Sequence, residues 1–417
     1  MLVIDTAFLG RVSEVTLGAA AIGGVFYLCL VMLGTGFAVG AQIMIGRRNG
    51  AGEHYAIGQI FDHAMVILSL LAVVLWFFLD ALAPLLLKNV ISSEAVLQES
   101  LTFLQFRKYG LLFGFLVLGF NGLYVGSTQT KVLSLSTFVM AMFNIILDYA
   151  LIFGHWGLPA MGIAGAALAT NMAEFFAFVF YLTWTFKKQV HIQFHLWRQR
   201  SVDMVLLRSL LRLSVPVMFQ YFLSFAAWFV FFMIIEQLGE TALAASNITR
   251  SIYMVLMIPV WGLSVSVNTL VSNTLGRGAT QLVIPVIRRV LYIGLIINLF
   301  LVLFLWIFPQ PLVAFYTDDP HLIEATLPLL RVVAFALIAF AIGMILFSGL
   351  SGTGKTLLAL KLEVLSIMFY LVTALLLAVY FNASAPILWM VEVVYFSLMG
   401  LFAFIALKRG SWKDFSI

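Results

Sequence analysis

Long apolar runs recur along this chain, at roughly 17–45, 57–87, 100–125, 132–154, 160–186, 208–236, 243–273, 284–310, 326–350, 357–381 and 385–407. A helix that crosses a bilayer needs about 20 such residues, so each run is long enough to span, and together they predict eleven complete membrane helices. Composition closes the main alternative. With 63% apolar and 10% charged residues and a mean hydropathy of +1.09, a water-soluble domain of this length would expose large apolar patches. Residues 1–9, MLVIDTAFL, read as the tail of a further helix. They are too few to cross and lack the charged start and cleavage site of a signal peptide.

Lys and Arg collect in cytoplasmic loops, so the 23 basic residues report orientation. Seventeen of them fall on the side of the 46–56 loop, among them Arg47, Arg48, Lys187, Lys188, Arg288, Arg289, Lys408 and Arg409. The other six are Arg11, Lys88, Arg107, Lys108, Arg250 and Arg331. That bias puts both termini in the cytoplasm. The net charge of +5 does not signal nucleic-acid binding, because the basic residues lie between apolar runs rather than on a soluble face. Cys29 is the single cysteine, which excludes an intrachain disulfide or a cysteine-based metal site.

The chain repeats itself. Displaced by 226 residues, FLGRVSEVTLGAAAI falls on IIEQLGETALAASNI, pairing Glu14 with Glu240 and Ala19 with Ala245. GFAVGAQIMIGRRNGAG falls on GLSVSVNTLVSNTLGRG, pairing Gly36 with Gly262, Gln42 with Asn268 and Gly52 with Gly278. With one residue of slip, STQTKVLSL meets GTGKTLLAL. A displacement of six helices keeps both halves in the same orientation, so the repeats are parallel and substrate is expected between them. The halves are expected at 1–190 and 208–417, joined by a cytoplasmic linker at 191–207. Trp197, Leu206, Leu207 and the basic residues of the 187–212 stretch suggest an interfacial amphipathic helix there. The repeat also places the start of the first helix before Met1, so this helix is expected to be truncated here.

A carboxylate inside a span is a functional-site hypothesis by default, because its charge is costly in hydrocarbon. Asp5 and Asp148 are the best cases, and Asn144 lies one turn before Asp148 on the same face. Two carboxylates beside an amide can share a proton or surround a small cation. The bland alternative is an acid near a helix end or beside a basic partner. Under the repeat, Asp5 aligns with Phe231, Asn144 with Phe369 and Asp148 with Thr373. Coupling is therefore expected in the N-terminal half alone. Glu363 and Glu392 either line a cleft or sit near helix ends, and Asp62 and His63 read as solvated or capping residues near the inner surface. Asp80, Glu236, Asp318 and Asp319 are expected at the outer surface.

VIDTAFLGRVSEVTLGAAAIG, GAQIMIGRRNGAG, FNIILDYALIFG and GIAGAALAT together resemble the multidrug and toxic compound extrusion (MATE) family, and within it the DinF-like branch. The resemblance covers essentially the whole chain. It implies an all-α polytopic fold of twelve helices in two six-helix lobes, with export of small organic cations or amphipathic drugs against inward H⁺ or Na⁺. No other cofactor, no ATP hydrolysis, no enzyme activity and no nucleic-acid partner is implied, and a monomer in the bacterial cytoplasmic membrane is expected. The family's cation site matches Asp5, Asn144, Asp148 and Thr170. Na⁺, if it is the coupling ion, would bind at those four. Glu174, one turn after Thr170, either extends this polar surface or hydrogen-bonds within the bundle. Phe103 stands where many relatives have a tyrosine, and Ser224 and Phe340 occupy the positions of the acidic pair found in the NorM-like branch, which argues against a site of that type.

Gly349 to Thr356, GLSGTGKT, matches the phosphate-binding G-x-x-x-x-G-K-[ST] pattern. That motif requires a preceding strand and a soluble α/β domain. Here it joins two spans, so the expectation is a Gly-rich cytoplasmic turn. The main rival to an antiporter is a flippase for a lipid-linked substrate, which would need several basic residues inside its cleft.

Overall fold

The computed structural model describes residues 5, 8–10, 12–89, 91, 93–198, 202–410 and 412–413. Arg11 and Arg200 of the charge count, and residues 1–4, 6 and 7 of the 1–9 stub, lie outside the described residues. Asp5, Phe8 and Leu9 are helical.

Among the described residues every regular element is a helix. In the first half these are α1 (Glu14–Ala51), α2 (His54–Ala81), α3 (Ala83–Lys88), α4 (Glu94–Arg107), α5 (Gly110–Gly126), α6 (Lys131–Phe153), α7 (Gly162–Lys187) and the single turn α8 (Val190–Gln193). Then follow α9 (Met204–Glu236), α10 (Glu240–Gly276), α11 (Val283–Ile307), α12 (Pro309–Ala314), α13 (Pro320–Gly352), α14 (Thr356–Val379) and α15 (Ala385–Arg409). Ten of these helices are long and apolar enough to cross a membrane, and α4 with α5, bent by 54° at their break, pass the same test as a pair and make an eleventh when counted as one span. Each predicted span therefore has its helix, and the 100–125 run differs only in being broken. Its break falls at Lys108 and Tyr109. Arg107 turns toward α7 and Lys108 pairs with Asp80 of α2, so consecutive cations are held by different neighbours.

The chain forms two compact units, residues 1–222 and 223–417. It passes from one to the other inside α9, later than the linker at 191–207. In the first unit α6 packs along α7, and α1 packs on α2, α4 and α5. The α6 and α7 approach depends on the small-residue face of GIAGAALAT, the usual way for membrane helices to gain close packing. A Cβ on Gly165 would stand 2.5 Å from the Leu151 carbonyl oxygen. In the second unit α13 is central, packing on α10, α11 and α15, while α14 packs chiefly on α15.

The linker departs from expectation. The described part of the 187–212 stretch before Met204 holds only the four-residue turn α8 rather than an amphipathic helix, and positions 199–201 lie outside the described residues. Of its apolar residues Val190, Phe194 and Leu196 are buried, while Ile192, Trp197 and Val202 are exposed. Asp62 Oδ1 accepts the Trp197 backbone N–H at 3.0 Å, and His63 Nε2 accepts the Asp203 backbone N–H at 3.0 Å. His63 Nδ1 lies 2.7 Å from the Gln59 carbonyl oxygen. His63 is thus a buried clamp on the start of α9, while Asp203 Oδ1 caps that helix by accepting from Val205 and Leu206.

The G-x-x-x-x-G-K-[ST] stretch is the turn between α13 and α14. Its Thr353, Gly354 and Thr356 N–H groups bond to the carbonyls of Leu350, Ser351 and Gly354 at 3.1, 2.9 and 2.8 Å. The donors that would cradle a phosphate are spent on closing the turn.

Candidate coupling-ion site

Asn144 and Asp148 lie one turn apart on the face of α6 turned toward α7, and both are completely buried. Thr170 on α7 meets them. The Asn144 side-chain amide donates to Thr170 Oγ1 at 3.4 Å, and the Thr170 hydroxyl lies 3.3 Å from Asp5 Oδ2 and 3.0 Å from the Ala166 carbonyl oxygen. That hydroxyl has one hydrogen, so it can serve only one of these acceptors at a time. Asp5 is also a neighbour of Asp148, within reach of its carboxyl. The structure thus brings Asp5, Asn144, Asp148 and Thr170 together from three stretches of chain.

Too few donors reach this cluster. Asp5 Oδ1, Asn144 Oδ1 and both carboxylate oxygens of Asp148 are buried without a hydrogen-bond partner. Orphaned acceptors inside a bilayer are costly, and two of these groups are carboxyls, whose ionised form is costlier still. A proton or a small hard cation, which prefers oxygen ligands, would satisfy them, and the donor set fits either.

Glu174 lies one turn from Thr170, but its carboxylate is engaged elsewhere. Arg107 Nη2 donates to Glu174 Oε1 at 2.6 Å and Nη1 to Oε2 at 3.1 Å, and Nη1 also bonds to Asn171 Oδ1. Asn171 in turn donates to the Phe106 carbonyl oxygen at 2.6 Å, and the guanidinium lies 4.2 Å above the Tyr27 ring. A Cβ on Gly110 would collide with Asn171 Oδ1 and Arg107 Nη1, so the absence of a side chain there makes room for the pair. Arg107, counted from sequence as an outer-loop cation, is 7% exposed and sits inside the bundle. Glu174, an acid inside a predicted span, was the available signal for it, since such a residue calls for a partner.

At the positions that the repeat aligns with Asp5 and Asn144, the second unit places Phe231 in its core and Phe369 exposed, and Phe340, at one of the NorM-like acidic positions, is in the core as well. Glu363 and Glu392, left open by sequence, are both buried rather than near solvated helix ends.

A family model described as MatE matches residues 1–150 and 216–379, most of the chain. The chain belongs to the MatE family. A relative from Thermotoga maritima, described as a probable multidrug resistance protein NorM, is 27% identical over 98% of this chain and 88% of its own length. The Vibrio cholerae MATE transporter VcmN in its bent form has a TM-score of 0.86 at 21% identity, covering 98% of this chain and 91% of that one. A MOP superfamily transporter from Pyrococcus furiosus, whose binding pocket is described as having reverse polarity that suggests a different function, has a TM-score of 0.89 at 18% identity over 99% and 92% of the two chains. These likenesses establish the all-α polytopic fold of the MATE transporters. As a MatE protein the chain is a multi-pass membrane transporter and not an enzyme.

Proposed function

We propose that this chain is a secondary active efflux antiporter that exports cationic or amphipathic compounds by alternating access, in exchange for H⁺ or Na⁺ bound among Asp5, Asn144, Asp148 and Thr170. The observation that carries the reading is the set of four buried acceptor oxygens without donors on two carboxylates and an amide. Such a set changes its charge state whenever a proton or cation arrives or leaves. A ligand shifts a conformational equilibrium by its differential affinity for the two states, so an ion on these residues biases which state the transporter occupies. The substrate class follows the Thermotoga relative's description as a multidrug resistance protein. The transporter would work as a monomer in the bacterial cytoplasmic membrane with both termini inside. The DinF-like pattern, acids in the first half and none at Ser224 or Phe340, supports the same assignment. A flippase would need free buried cations, and Arg107 is committed to Glu174.

The test is efflux of a fluorescent organic cation from proteoliposomes under an imposed pH or Na⁺ gradient. Whichever gradient drives the wild type, Asp148→Asn and Asp5→Asn should abolish the response, because asparagine keeps the shape and removes the titration. Lys355→Ala should leave it unchanged. Gradient-driven efflux at wild-type rate in Asp148→Asn would sink the assignment.

A further inference from the structure

The second unit has no carboxylate opposite Asp5 or Asp148, yet it buries two by another route. Glu363 on α14 is 2% exposed and Glu392 on α15 is 3% exposed. The Ser224 hydroxyl of α9 donates to Glu363 Oε1 at 2.6 Å, and the Tyr395 hydroxyl of α15 donates to the same oxygen. Tyr370 donates to Glu392 Oε1 at 2.7 Å, and the Tyr370 and Tyr395 rings lie 5.2 Å apart, which joins the two glutamates into one cluster. Tyr253 of α10 is fully buried beside Glu392 and Tyr370, and its hydroxyl has no hydrogen-bond partner.

The titratable groups that face the pair are Tyr253, Tyr370 and Tyr395, and none is a cation. Arg250, three residues before Tyr253, lies instead over the Phe232 ring at 4.8 Å. Among the described residues neither glutamate takes part in an ion pair. An ionised carboxylate so placed has no compensating charge, which a bilayer interior does not tolerate cheaply.

The distribution of donors identifies what relieves it. Both hydroxyls converge on Glu363 Oε1, and Oε2 is buried with nothing bonded to it. An ionised carboxylate has two equivalent acceptor oxygens, whereas a carboxylic acid has one carbonyl oxygen that accepts and one oxygen that carries the proton. Glu363 has the second pattern. A sodium ion would need several oxygen lone pairs to converge, whereas the two hydroxyls that reach Glu363 are both hydrogen-bonded to Oε1. The repeat gives the arrangement a precedent: with its one residue of slip, Thr170 falls on Tyr395. Both are hydroxyls set against a carboxylate, Asp5 in the first unit and Glu363 in the second.

We propose that Glu363, held by Ser224 and Tyr395 beside Glu392, Tyr370 and the unpartnered Tyr253 hydroxyl, is a second proton-binding site, in the second unit and separate from the aspartate site. It goes beyond the coupling assignment and does not rest on it.

The experiment is infrared spectroscopy of the full chain in detergent at neutral pH, with isotope-labelled glutamate to separate glutamic from aspartic carbonyl bands. The expected result is a protonated glutamic-acid band that loses one carboxyl per chain in Glu363→Gln and is unchanged in Asp148→Asn. Tyr395→Phe should keep the band and move it to higher frequency, because the carbonyl loses one of its hydrogen bonds, and this variant retains every carboxyl should Glu363→Gln fold poorly. Absence of the band in the wild type, its persistence at full strength in Glu363→Gln, an unmoved band in Tyr395→Phe, or its disappearance on adding NaCl would each overturn the proposal. Because the readout is not transport, failure of the aspartate assignment leaves it intact, and the reverse holds too.

Discussion

Arg107 and Glu174 meet through two hydrogen bonds, at 2.6 and 3.1 Å, where α4 breaks against α7, with side-chain exposures of 8% and 14%. Asp5 is also among the charges that act on this guanidinium. The pair therefore ties the bend between α4 and α5 to the helix that carries Thr170, next to the proposed coupling-ion site.

Removing one member strands the other as a buried charge, at a cost of about 3–5 kcal/mol. Arg107→Gln and Glu174→Gln should each lower the unfolding midpoint in detergent markedly. The double variant Arg107→Met with Glu174→Leu should be less damaged than either single change, since it strands nothing. Additive losses in the double variant would show that the two residues are not energetically coupled.

Thr170→Val removes the hydroxyl that bridges Asn144 and Asp5. A buried polar group left unsatisfied costs about 1–3 kcal/mol, which at about 1.4 kcal/mol per tenfold weakens coupling-ion affinity roughly 5–100-fold. Thr170→Ser keeps the hydroxyl and should behave nearly as wild type. The measurement is the ion concentration giving half-maximal efflux, and identical values in all three forms would remove Thr170 from the site.

Gly165→Ala places a methyl group against the Leu151 carbonyl oxygen, 2.5 Å away before any relaxation. Overpacking of this kind costs about 1–3 kcal/mol, and here it also drives α6 away from α7, separating Asn144 from Thr170. Both thermal stability and ion affinity should fall. Gly18→Ala meets open space and should be neutral or slightly stabilising, which distinguishes packing from a general intolerance of alanine.

Topology gives a fourth expectation. Seven crossings separate Ala51 from His321 and ten separate Ala51 from Lys408, when α4 and α5 count as one. In a Cys29→Ala background, Ala51→Cys and Lys408→Cys should react with an impermeant thiol reagent only from the cytoplasmic side, and His321→Cys only from outside. Labelling of 51 and 321 from the same side would break the span assignment.

The positions of the spans were legible in the sequence because they depend on a local property, the length of each apolar run. The repeat was legible for a similar reason, since turn glycines such as Gly52 and Gly278 recur at a fixed displacement. Asp148 and Asn144 could be paired because a helix puts residues four apart on one face.

Partners across helices were not legible. Arg107 was counted with the outer-side cations because it lies toward the outer end of the 100–125 run, and only the structure shows it turned inward to Glu174 at the break between α4 and α5. Glu363 and Glu392 carried no signal of their depth, because a repeat alignment compares equivalent positions and these acids lie elsewhere on their helices. Their meaning comes from which hydroxyls reach which oxygen, and Ser224 is 139 residues from Glu363 in the chain. The sequence by itself determined a series of membrane helices, since the bilayer imposes helix and length on any run this apolar. Tertiary structure alone decided which buried charges are neutralised by a partner and which are left to bind a proton or a cation, because that depends on a few ångströms between side chains far apart in the chain.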